Sequence, residues 1–411
     1  MSVFRSADIL IPRAADMASW AVIACDQFTS DKEYWMRVRE TVGSKPSTLH
    51  MILPEAELGS DRRQAAASMQ EVMHQYLLDD VFMQLKDSYI YVERTLQNGS
   101  IRPGLIGMLD LEAYDYHPGS ISPVRATEET VLERIPPRQE IRADAELEFP
   151  HILVLCDDHE GCLIEPIETV KDTLTVLYDF DLMEDGGHIT GWLLDKAQVD
   201  AFNARFAEYS KTYQSKYKDL SGAKVLLAAG DGNHSLATAK SCYEALKAKK
   251  PGVDLSNHPA RYALVELENI HHPSQRFEPI HRILFDVNCD AILDMLRKFE
   301  KPDGHLIQYF TADKSGEIRL DKNLGELAIA ALQPLLDDYF NEHSGEIDYI
   351  HGEKELISLT QQDNAIGFIL PPMEKDTFFR GIISKGVLPR KTFSMGHARE
   401  KRYYLEGRKI R

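Results

Sequence analysis

The sequence predicts an α+β protein in which mixed β-sheets carry flanking helices. Stretches at residues 62–86 and 195–218 have the apolar spacing and length of amphipathic helices. Between them, residues 88–192 consist of short β-rich runs separated by turn residues such as Asn98-Gly99, which is typical of strands and hairpins. From residue 288 onward, helix-like and strand-like segments alternate. Together these patterns indicate the α+β class.

The N-terminal elements can be placed in order. A short buried strand at residues 21–24 precedes a loop that contains Asp26. The capping-box pattern Ser-Asp-Lys-Glu at residues 30–33 predicts a helix over residues 31–41. Residues 48–53 are strand-like and end at a proline. The helix at 62–86 follows, and its Met and Tyr stripe indicates core packing.

A polar run at residues 157–161, Asp-Asp-His-Glu-Gly, lies between strand-like segments at 152–156 and 162–167. Its carboxylates and imidazole resemble a metal site. A hairpin tip is the simpler interpretation, because tight turns select Asp and Gly for their backbone tolerance.

A cluster of charged side chains surrounds a short predicted helix that begins after Thr127 and ends at a Pro-Pro pair, residues 136–137. Its members are Arg125, Glu128, Arg134 and Arg138. They form either a surface ion-pair network of little energetic weight or a guanidinium clamp for a carboxylate or phosphate. The local sequence leaves both open.

The most informative stretch is Gly-Asp-Gly-Asn-His-Ser at residues 230–235. It follows a buried strand at 223–229 and precedes a helix that continues to about residue 250. Unpaired amides and a partial positive charge at such a helix start attract anions, above all phosphate. Asp231 and His234 add proton-transfer or metal-binding capacity. An Asx-turn and an ordinary helix cap explain the same residues.

The last third of the chain places His281 and Arg282 at the start of a strand and a helix at residues 324–342. Its final segment, residues 380–411, has ten Lys or Arg against two acidic residues. This basic segment either helps to hold an anionic ligand or pairs with the acidic body of the protein.

Composition limits the classes of function. The chain has 411 residues, 43% of them hydrophobic, and a formal net charge of −18. That charge argues against a nucleic-acid partner. No apolar run is long enough for a membrane span, and five cysteines without metal-finger spacing indicate reduced thiols in a cytoplasmic protein. The oligomeric state cannot be derived from the sequence.

Five motifs carry a resemblance to a known family. They are residues 24–29 (Ala-Cys-Asp-Gln-Phe-Thr), 230–234 (Gly-Asp-Gly-Asn-His), 279–282 (Pro-Ile-His-Arg), 347–352 (Ile-Asp-Tyr-Ile-His-Gly) and 388–392 (Leu-Pro-Arg-Lys-Thr). In this order they resemble the bacterial family known as domain of unknown function 1015, over nearly the whole chain. The central motif is also similar to that of ParB-like nucleotide-binding domains, free serine kinases and sulfiredoxins.

The resemblance implies an organisation. Residues 1–286 would be a ParB/sulfiredoxin-like α+β core with a β-rich insertion at about 88–192. Residues 287–411 would be a smaller C-terminal α+β region packing against the same site.

Matching residues can be carried over one by one. Asp231, Gly232 and His234 match the wider motif, whereas Asn233 replaces its first histidine and Ser235 its arginine. The resemblance also implies a nucleotide (ATP or ADP) as ligand and serine or phosphoserine as substrate.

The predicted function is phosphoryl transfer, of kinase or phosphatase type, to or from a small anionic metabolite. Asp231, His234 and Asp26 are the candidate catalytic residues, and Asp26 or Asp231 would hold Mg²⁺. The candidate phosphate- or substrate-binding residues are Gly230, Gly232, Asn233, Ser235, Arg125, His281, Arg282 and Lys391. The alternative is a regulatory module that binds a nucleotide without metabolic turnover.

Overall fold

A computed structural model of the chain describes residues 2–28, 31–54, 57, 61–389 and 391–411, with the backbone alone at Asp26 and Lys385. The strands, in chain order, are β1 Phe4–Arg5, β2 Ala7–Pro12, β3 Phe82–Ser88, β4 Ile90–Thr95, β5 Ile101–Asp110, β6 Tyr114–Asp115, β7 Val124–Ala126, β8 Leu147–Glu148, β9 Leu153–Cys156, β10 Thr175–Asp181, β11 His188–Leu193, β12 Leu227–Asp231, β13 Tyr262–Asn269, β14 Phe277–Phe285, β15 Glu300–Phe310, β16 Ser315–Leu320, β17 Glu346–His351, β18 Ile366–Ile369, β19 Phe393–Met395 and β20 Arg408–Lys409.

The α-helices, in the same order, are α1 Met17–Trp20, α2 Lys32–Val42, α3 Arg62–Leu78, α4 Ile135–Arg142, α5 Glu165–Glu168, α6 Lys196–Lys216, α7 Asn233–Lys249, α8 Cys289–Arg297, α9 Ala328–Glu342, α10 Glu353–Leu359 and α11 Lys375–Lys385. The predicted α+β class is confirmed. No helix among the described residues is long and apolar enough to cross a membrane.

Two sheets organise the molecule, a larger mixed one and a smaller antiparallel one. The larger has the strand order β10-β11-β4-β5-β13-β9-β12-β7-β6, with β1 on β5, and includes strands from the β-rich region. In it β12 runs parallel to β7 and antiparallel to β9. The smaller has the order β16-β15-β18-β14-β17, with β19 on β14. A buried apolar cluster packs on the larger sheet, and a second one joins the smaller sheet to Leu153, Leu155 and Ala228 of the larger. The predicted domain division stays a prediction.

The strand predicted at residues 21–24 is reduced to an isolated bridge between Val22 and Tyr404. Two further predictions for the N-terminal third are also wrong. Residues 48–51 form a 3₁₀ turn instead of a strand, because the Thr48 hydroxyl bonds to the carbonyls of Trp20 and Tyr404 and Ser47 caps the turn. The helix expected over residues 62–86 ends at Leu78, and β3 begins at Phe82. A tertiary strand pairing with β2 decides this second boundary.

The Pro-Pro pair was expected to end a helix and instead begins one. Pro136 and Pro137 occupy the first turn of α4, which runs to Arg142. Proline is compatible with that position because the first-turn N–H groups have no intrahelical acceptor.

The hairpin predicted around residues 157–161 is not formed. The first strand, β9, ends at Cys156, but the chain then turns into the short helix α5. The Asp158 carboxylate accepts the backbone N–H of Leu163 and holds the loop in this turned conformation. Asp157 is thereby left beside His271 rather than at an exposed tip.

The basic C-terminal segment returns to the N-terminal part of the molecule. Gly407 exchanges backbone hydrogen bonds with Leu10, and β20 pairs with β8. The Arg402 guanidinium is buried, at 2.9 Å from Glu266 and 2.7 Å from Glu406. The segment therefore pairs with acidic groups of the protein itself.

Candidate functional site

A cavity of about 350 Å³ opens where the end of β12 and the start of α7 face α4. Its size lies within the range of roughly 300–1,000 Å³ that is usual for small-molecule sites. The residues lining one side are apolar and include Met51, Ile52, Met73 and Phe149. The other side combines cationic side chains with the residues of the predicted anion-binding turn. The C-terminal part of the chain contributes Ile280, His351, Lys391, Phe393, Ser394, Met395, Lys401 and Tyr404 to the lining.

The turn from Gly230 to Ser235 lines this cavity throughout. Strand β12 continues through Asp231, and α7 begins at Asn233 with Gly232 as its N-cap at φ +73°. Gly232 has no side chain to cap the helix. The ordinary helix cap that was the alternative interpretation is therefore not formed by Asn233 or Ser235, which lie inside the first turn of α7. The first-turn amides of α7 lie at the cavity, where they and the helix dipole favour an anion.

Asp231 lies in an ion pair at the cavity wall. Its Oδ1 accepts the Gly232 N–H at 2.8 Å, and its Oδ2 lies 3.0 Å from Lys401 Nζ. Burial opposes ionisation of this carboxyl, but the charge of Lys401 and the hydrogen bonds from Lys401 and the Gly232 N–H help to outweigh burial, and the pKa is held below the ordinary value. Asp231 is accordingly a carboxylate at neutral pH.

His151 lies beside this pair and also lines the cavity. Burial lowers its pKa, and the nearby cations Arg402 and Lys401 lower it further against the opposing charge of Asp231. Its ring packs against Tyr404, with ring centroids 5.0 Å apart. A neutral imidazole in this position can accept a proton.

Glu128 fixes the position of Lys391. The two oxygens of its carboxylate accept the backbone N–H groups of Lys391, at 3.2 Å, and Thr392, at 3.1 Å. Lys391 has φ +55°, which is an uncommon backbone conformation for lysine. Burial raises the Glu128 pKa, while those amides and the Lys391 charge act in the opposite direction. Lys391 is therefore held at the cavity through the hydrogen bond from its backbone N–H to Glu128.

The residues of the predicted guanidinium clamp lie in two different places. Arg134 and Arg138, just before and on α4, line the cavity together with Glu128. Arg125 is not among the lining residues, because it lies on the buried strand β7 and its guanidinium donates to the carbonyls of Ser122, Ala223 and Lys224. The Arg125 guanidinium therefore holds the backbone of neighbouring segments and does not line the cavity.

His234 lines the cavity, and its orientation is fixed. Its Nε2 lies 3.3 Å from the backbone N–H of Val131, which can only donate. The Nε2 lone pair is therefore engaged, and a neutral His234 carries its proton on Nδ1. This tautomer suits a hydrogen-bond donor better than a base. The neighbouring Asn233 contacts Thr127 Oγ1 at 3.3 Å through Nδ2.

His281 and Arg282 lie on β14 behind the cavity wall, which their neighbour Ile280 helps to form. His281 Nδ1 accepts the Leu370 N–H, and burial lowers the pKa of this histidine to about 4. Arg282 donates to Gln333 Oε1 and to the Ile280 carbonyl. Both side chains are buried, and the contacts recorded for them place them in the core of the smaller sheet.

The side chain of Asp26 lies outside the described residues, and its backbone is in a 3₁₀ turn. Its neighbours Cys25 and Gln27 line the cavity. The predicted catalytic and metal-binding roles of Asp26 stay predictions.

Sequence reasoning missed His151 and Lys401. A histidine after a proline and a lysine within a basic run have no distinctive local pattern. The sheet register brings His151 to the site, because Leu153 of β9 pairs with Asp231 of β12. The returning C-terminal segment brings Lys401, anchored where the Tyr404 N–H bonds to the Val22 carbonyl.

Gly232 provides a direct test of the turn. We expect Gly232→Ala to be destabilising, because the positive φ disfavours a side chain and the new Cβ would lie 3.0 Å from Ile152 Cα. Gly99→Ala is the matched control, since its φ is +79° but nothing lies within 4 Å of the new Cβ. The control should lose about 1–2 kcal/mol, and Gly232→Ala at least about 1 kcal/mol more. Urea unfolding measures both, and equal losses would contradict the close approach.

The chain is thus an α+β protein with a cavity at the N-terminus of α7 that Arg134, Arg138 and Lys391 help to line. A family model described as "Protein of unknown function (DUF1015)" matches residues 9–403, and the chain belongs to that family. The membership expected from the five sequence motifs is thus confirmed. No match was found among curated proteins.

Several solved structures are similar to the chain. One is a mutant free serine kinase in complex with AMP, with 11% identity and a TM-score of 0.38, covering 74% of this chain and 91% of the kinase. SbnI from Staphylococcus aureus with a C-terminal truncation has 13% identity and a TM-score of 0.35, covering 70% and 81%. A conserved hypothetical protein from Pyrococcus furiosus has 9% identity and a TM-score of 0.34, covering 74% and 94%.

Proposed function

We propose that the cavity binds a small phosphorylated molecule and transfers its phosphoryl group. The observation that carries this proposal is the start of α7, where the N-cap is Gly232, which has no side chain to cap the helix, and whose first turn lines the same cavity as Arg134, Arg138 and Lys391. Helix amides and guanidinium groups are the donors that phosphate prefers. The described lining has five Lys or Arg side chains and four acidic ones, whereas the chain as a whole has a net charge of −18.

Phosphoryl transfer needs positioning and charge neutralisation more than covalent machinery. The α7 amides and the three cations supply both at one end of the cavity. The bond from the acceptor oxygen to phosphorus forms as the bond to the leaving oxygen breaks. The acceptor, a hydroxyl or a water molecule, must lose a proton in this process.

Asp231 and His151 are the groups placed to handle that proton. Asp231 stays ionised beside Lys401, so it can orient a hydroxyl and accept its hydrogen bond. Little proton affinity is required of it, because bond formation to the acceptor lags behind bond cleavage in a loose transition state. A neutral His151 next to it can take up the proton.

The donor in this proposal is a nucleotide such as ATP or ADP, whose apolar base would contact the side of the cavity formed by Met51, Ile52 and Phe149. Serine or phosphoserine stays the proposed acceptor or product. Asp231 is a poor fit for Mg²⁺, since a backbone N–H and the Lys401 ammonium already contact its two oxygens. We therefore assign the charge neutralisation to the protein's own cations.

A ligand screen tests the proposal. Thermal shifts are measured with ATP, ADP, AMP, serine, phosphoserine and inorganic phosphate, and each ligand that stabilises the chain enters assays of phosphate release and nucleotide turnover. We expect a phosphorylated compound to raise the Tm by mass action. Serine with ATP, or phosphoserine alone, should give turnover.

Paired variants locate the binding. Arg134→Gln/Arg138→Gln should weaken phosphate-ligand binding by at least about tenfold, as expected for lost charge-assisted hydrogen bonds. Arg63→Gln, an exposed change on α3 outside the cavity lining, should leave binding unchanged. Binding without turnover would favour the regulatory module, and equal binding by all three proteins would refute the site.

A further inference from the structure

We propose that a second site, separate from the cavity, binds one Zn²⁺ ion through Asp157, His159 and His271. One ligand atom from each of these residues lies within 4.8 Å of the other two. Asp157 and His159 follow β9, whereas His271 follows the neighbouring parallel strand β13. The three side chains therefore meet at one edge of the larger sheet.

The separations suit a tetrahedral zinc ion. Two ligand atoms at about 2.0–2.1 Å from zinc in this geometry lie about 3.3 Å apart. Asp157 Oδ1 is 2.5 Å from His271 Nε2 and 3.9 Å from His159 Nε2. These two values bracket the required distance, so side-chain adjustments of about 1 Å or less would place all three atoms around one ion.

Asp157 is prepared to act as a ligand through one oxygen. Lys216 Nζ at 2.6 Å and the Tyr217 hydroxyl both bond to Oδ2, which leaves Oδ1 facing the imidazoles. Contacts of this kind orient metal ligands in known sites.

Asp376 is the proposed fourth ligand, and it would have to move toward the other three. Its Oδ1 lies 3.2 Å from His159 Nε2 and 3.9 Å from His271 Nδ1, whereas Asp157 faces His271 Nε2. Lys375 fixes this end of α11 by donating to the His272 carbonyl at 2.7 Å. An ion held by all four residues would join the edge of the larger sheet to a helix that packs with the smaller one. Two imidazoles and two carboxylates favour Zn²⁺ over the oxygen-preferring Mg²⁺.

An ion can reach the site from solvent because the His159 side chain is partly exposed. The His159 side chain is 48% exposed and its ring stacks on that of His271, with centroids 3.6 Å apart. His159 can therefore be replaced with little effect on the core, and it is the first choice for a test.

The experiment is calorimetric titration of the EDTA-treated, desalted full-length chain with ZnCl₂, with MgCl₂ as a second titrant. We expect one Zn²⁺ per chain and a raised Tm in its presence, with no competition by Mg²⁺. His159→Ala and His271→Ala should each weaken Zn²⁺ binding by at least about a hundredfold, and Asp376→Asn by at least about tenfold, since loss of an outer partner alone costs about 10–100-fold.

Two controls separate this site from adventitious binding. His343→Ala removes an exposed histidine elsewhere, and Glu374→Gln removes an exposed carboxylate two residues from Asp376. Both should bind Zn²⁺ as the unchanged chain does. The proposal is overturned when the unchanged chain takes up no stoichiometric Zn²⁺, or when His159→Ala and His271→Ala retain its affinity.

Discussion

Arg402→Met is expected to lower the free energy of unfolding by about 3–5 kcal/mol, the range found when one partner of a buried ion pair is removed. The Arg402 guanidinium lies 2.9 Å from Glu266 and 2.7 Å from Glu406, and it also donates to the Pro150 carbonyl. All three charged groups are buried. Methionine fills similar volume but leaves two buried carboxylates without their cation.

The decrease in the free energy of unfolding of Arg402→Met should depend on pH. Burial raises the Glu406 pKa even though Arg402 lowers it, and removing Arg402 raises it further. A carboxyl whose pKa is raised in the folded state binds its proton more tightly there than in the unfolded chain. Its contribution to stability is fully present below the unfolded pKa of about 4.3 and is lost as the pH rises through the folded pKa. The variant should therefore be closer to the unchanged chain at pH 5 than at pH 8.

Urea unfolding at the two pH values measures this effect. Arg411→Met is the control, because its ion pair with Asp144 is exposed and should contribute at most about 1 kcal/mol. Equal losses in Arg402→Met and Arg411→Met would show that the buried network does not stabilise the return of the C-terminal segment.

Asp231→Asn is expected to reduce turnover by at least about a hundredfold while the chain stays folded, the scale of a lost acid–base group. Asparagine keeps the shape and the Gly232 hydrogen bond but cannot accept a proton at this position. Removing the negative charge also makes the cavity more cationic, so the affinity for a phosphorylated ligand should stay equal or rise. Turnover and affinity should therefore change independently.

The measurement combines steady-state kinetics with ligand titration on the substrate found in the screen. Asp172→Asn, an exposed change outside the cavity lining, is the matched control and should behave as the unchanged chain. A native rate in Asp231→Asn would show that this carboxylate has no part in the reaction. A parallel loss of binding and turnover would instead indicate that Asp231 acts in ligand binding.

The Asp231 turn could be found from sequence because its information is local. A buried strand, a glycine that tolerates positive φ and a run of helix formers all occur within thirty residues, so neighbouring residues alone specify the structure. The same locality explains the prediction of α2 and α6. The fate of the Pro-Pro pair was mispredicted because proline both ends and begins helices.

Arg125 and Arg138 illustrate the limit of local reasoning. They are similar members of one charged cluster in the sequence, yet Arg125 lies on a buried strand and Arg138 at the cavity. Only the position of β7 within the sheet, flanked by β6 and β12, decides between the two environments.

By itself, the sequence determined the α+β class, the family and the turn at the start of α7, whose binding of an anion stays a prediction. Periodicity, glycine positions and motif order are properties of the chain itself. Only the tertiary structure placed His151 and Lys401 beside Asp231 and brought Asp157, His159 and His271 together. Those groups are far apart along the chain, and their proximity depends on strand register and on the path of the C-terminal segment, which many cooperative contacts fix together.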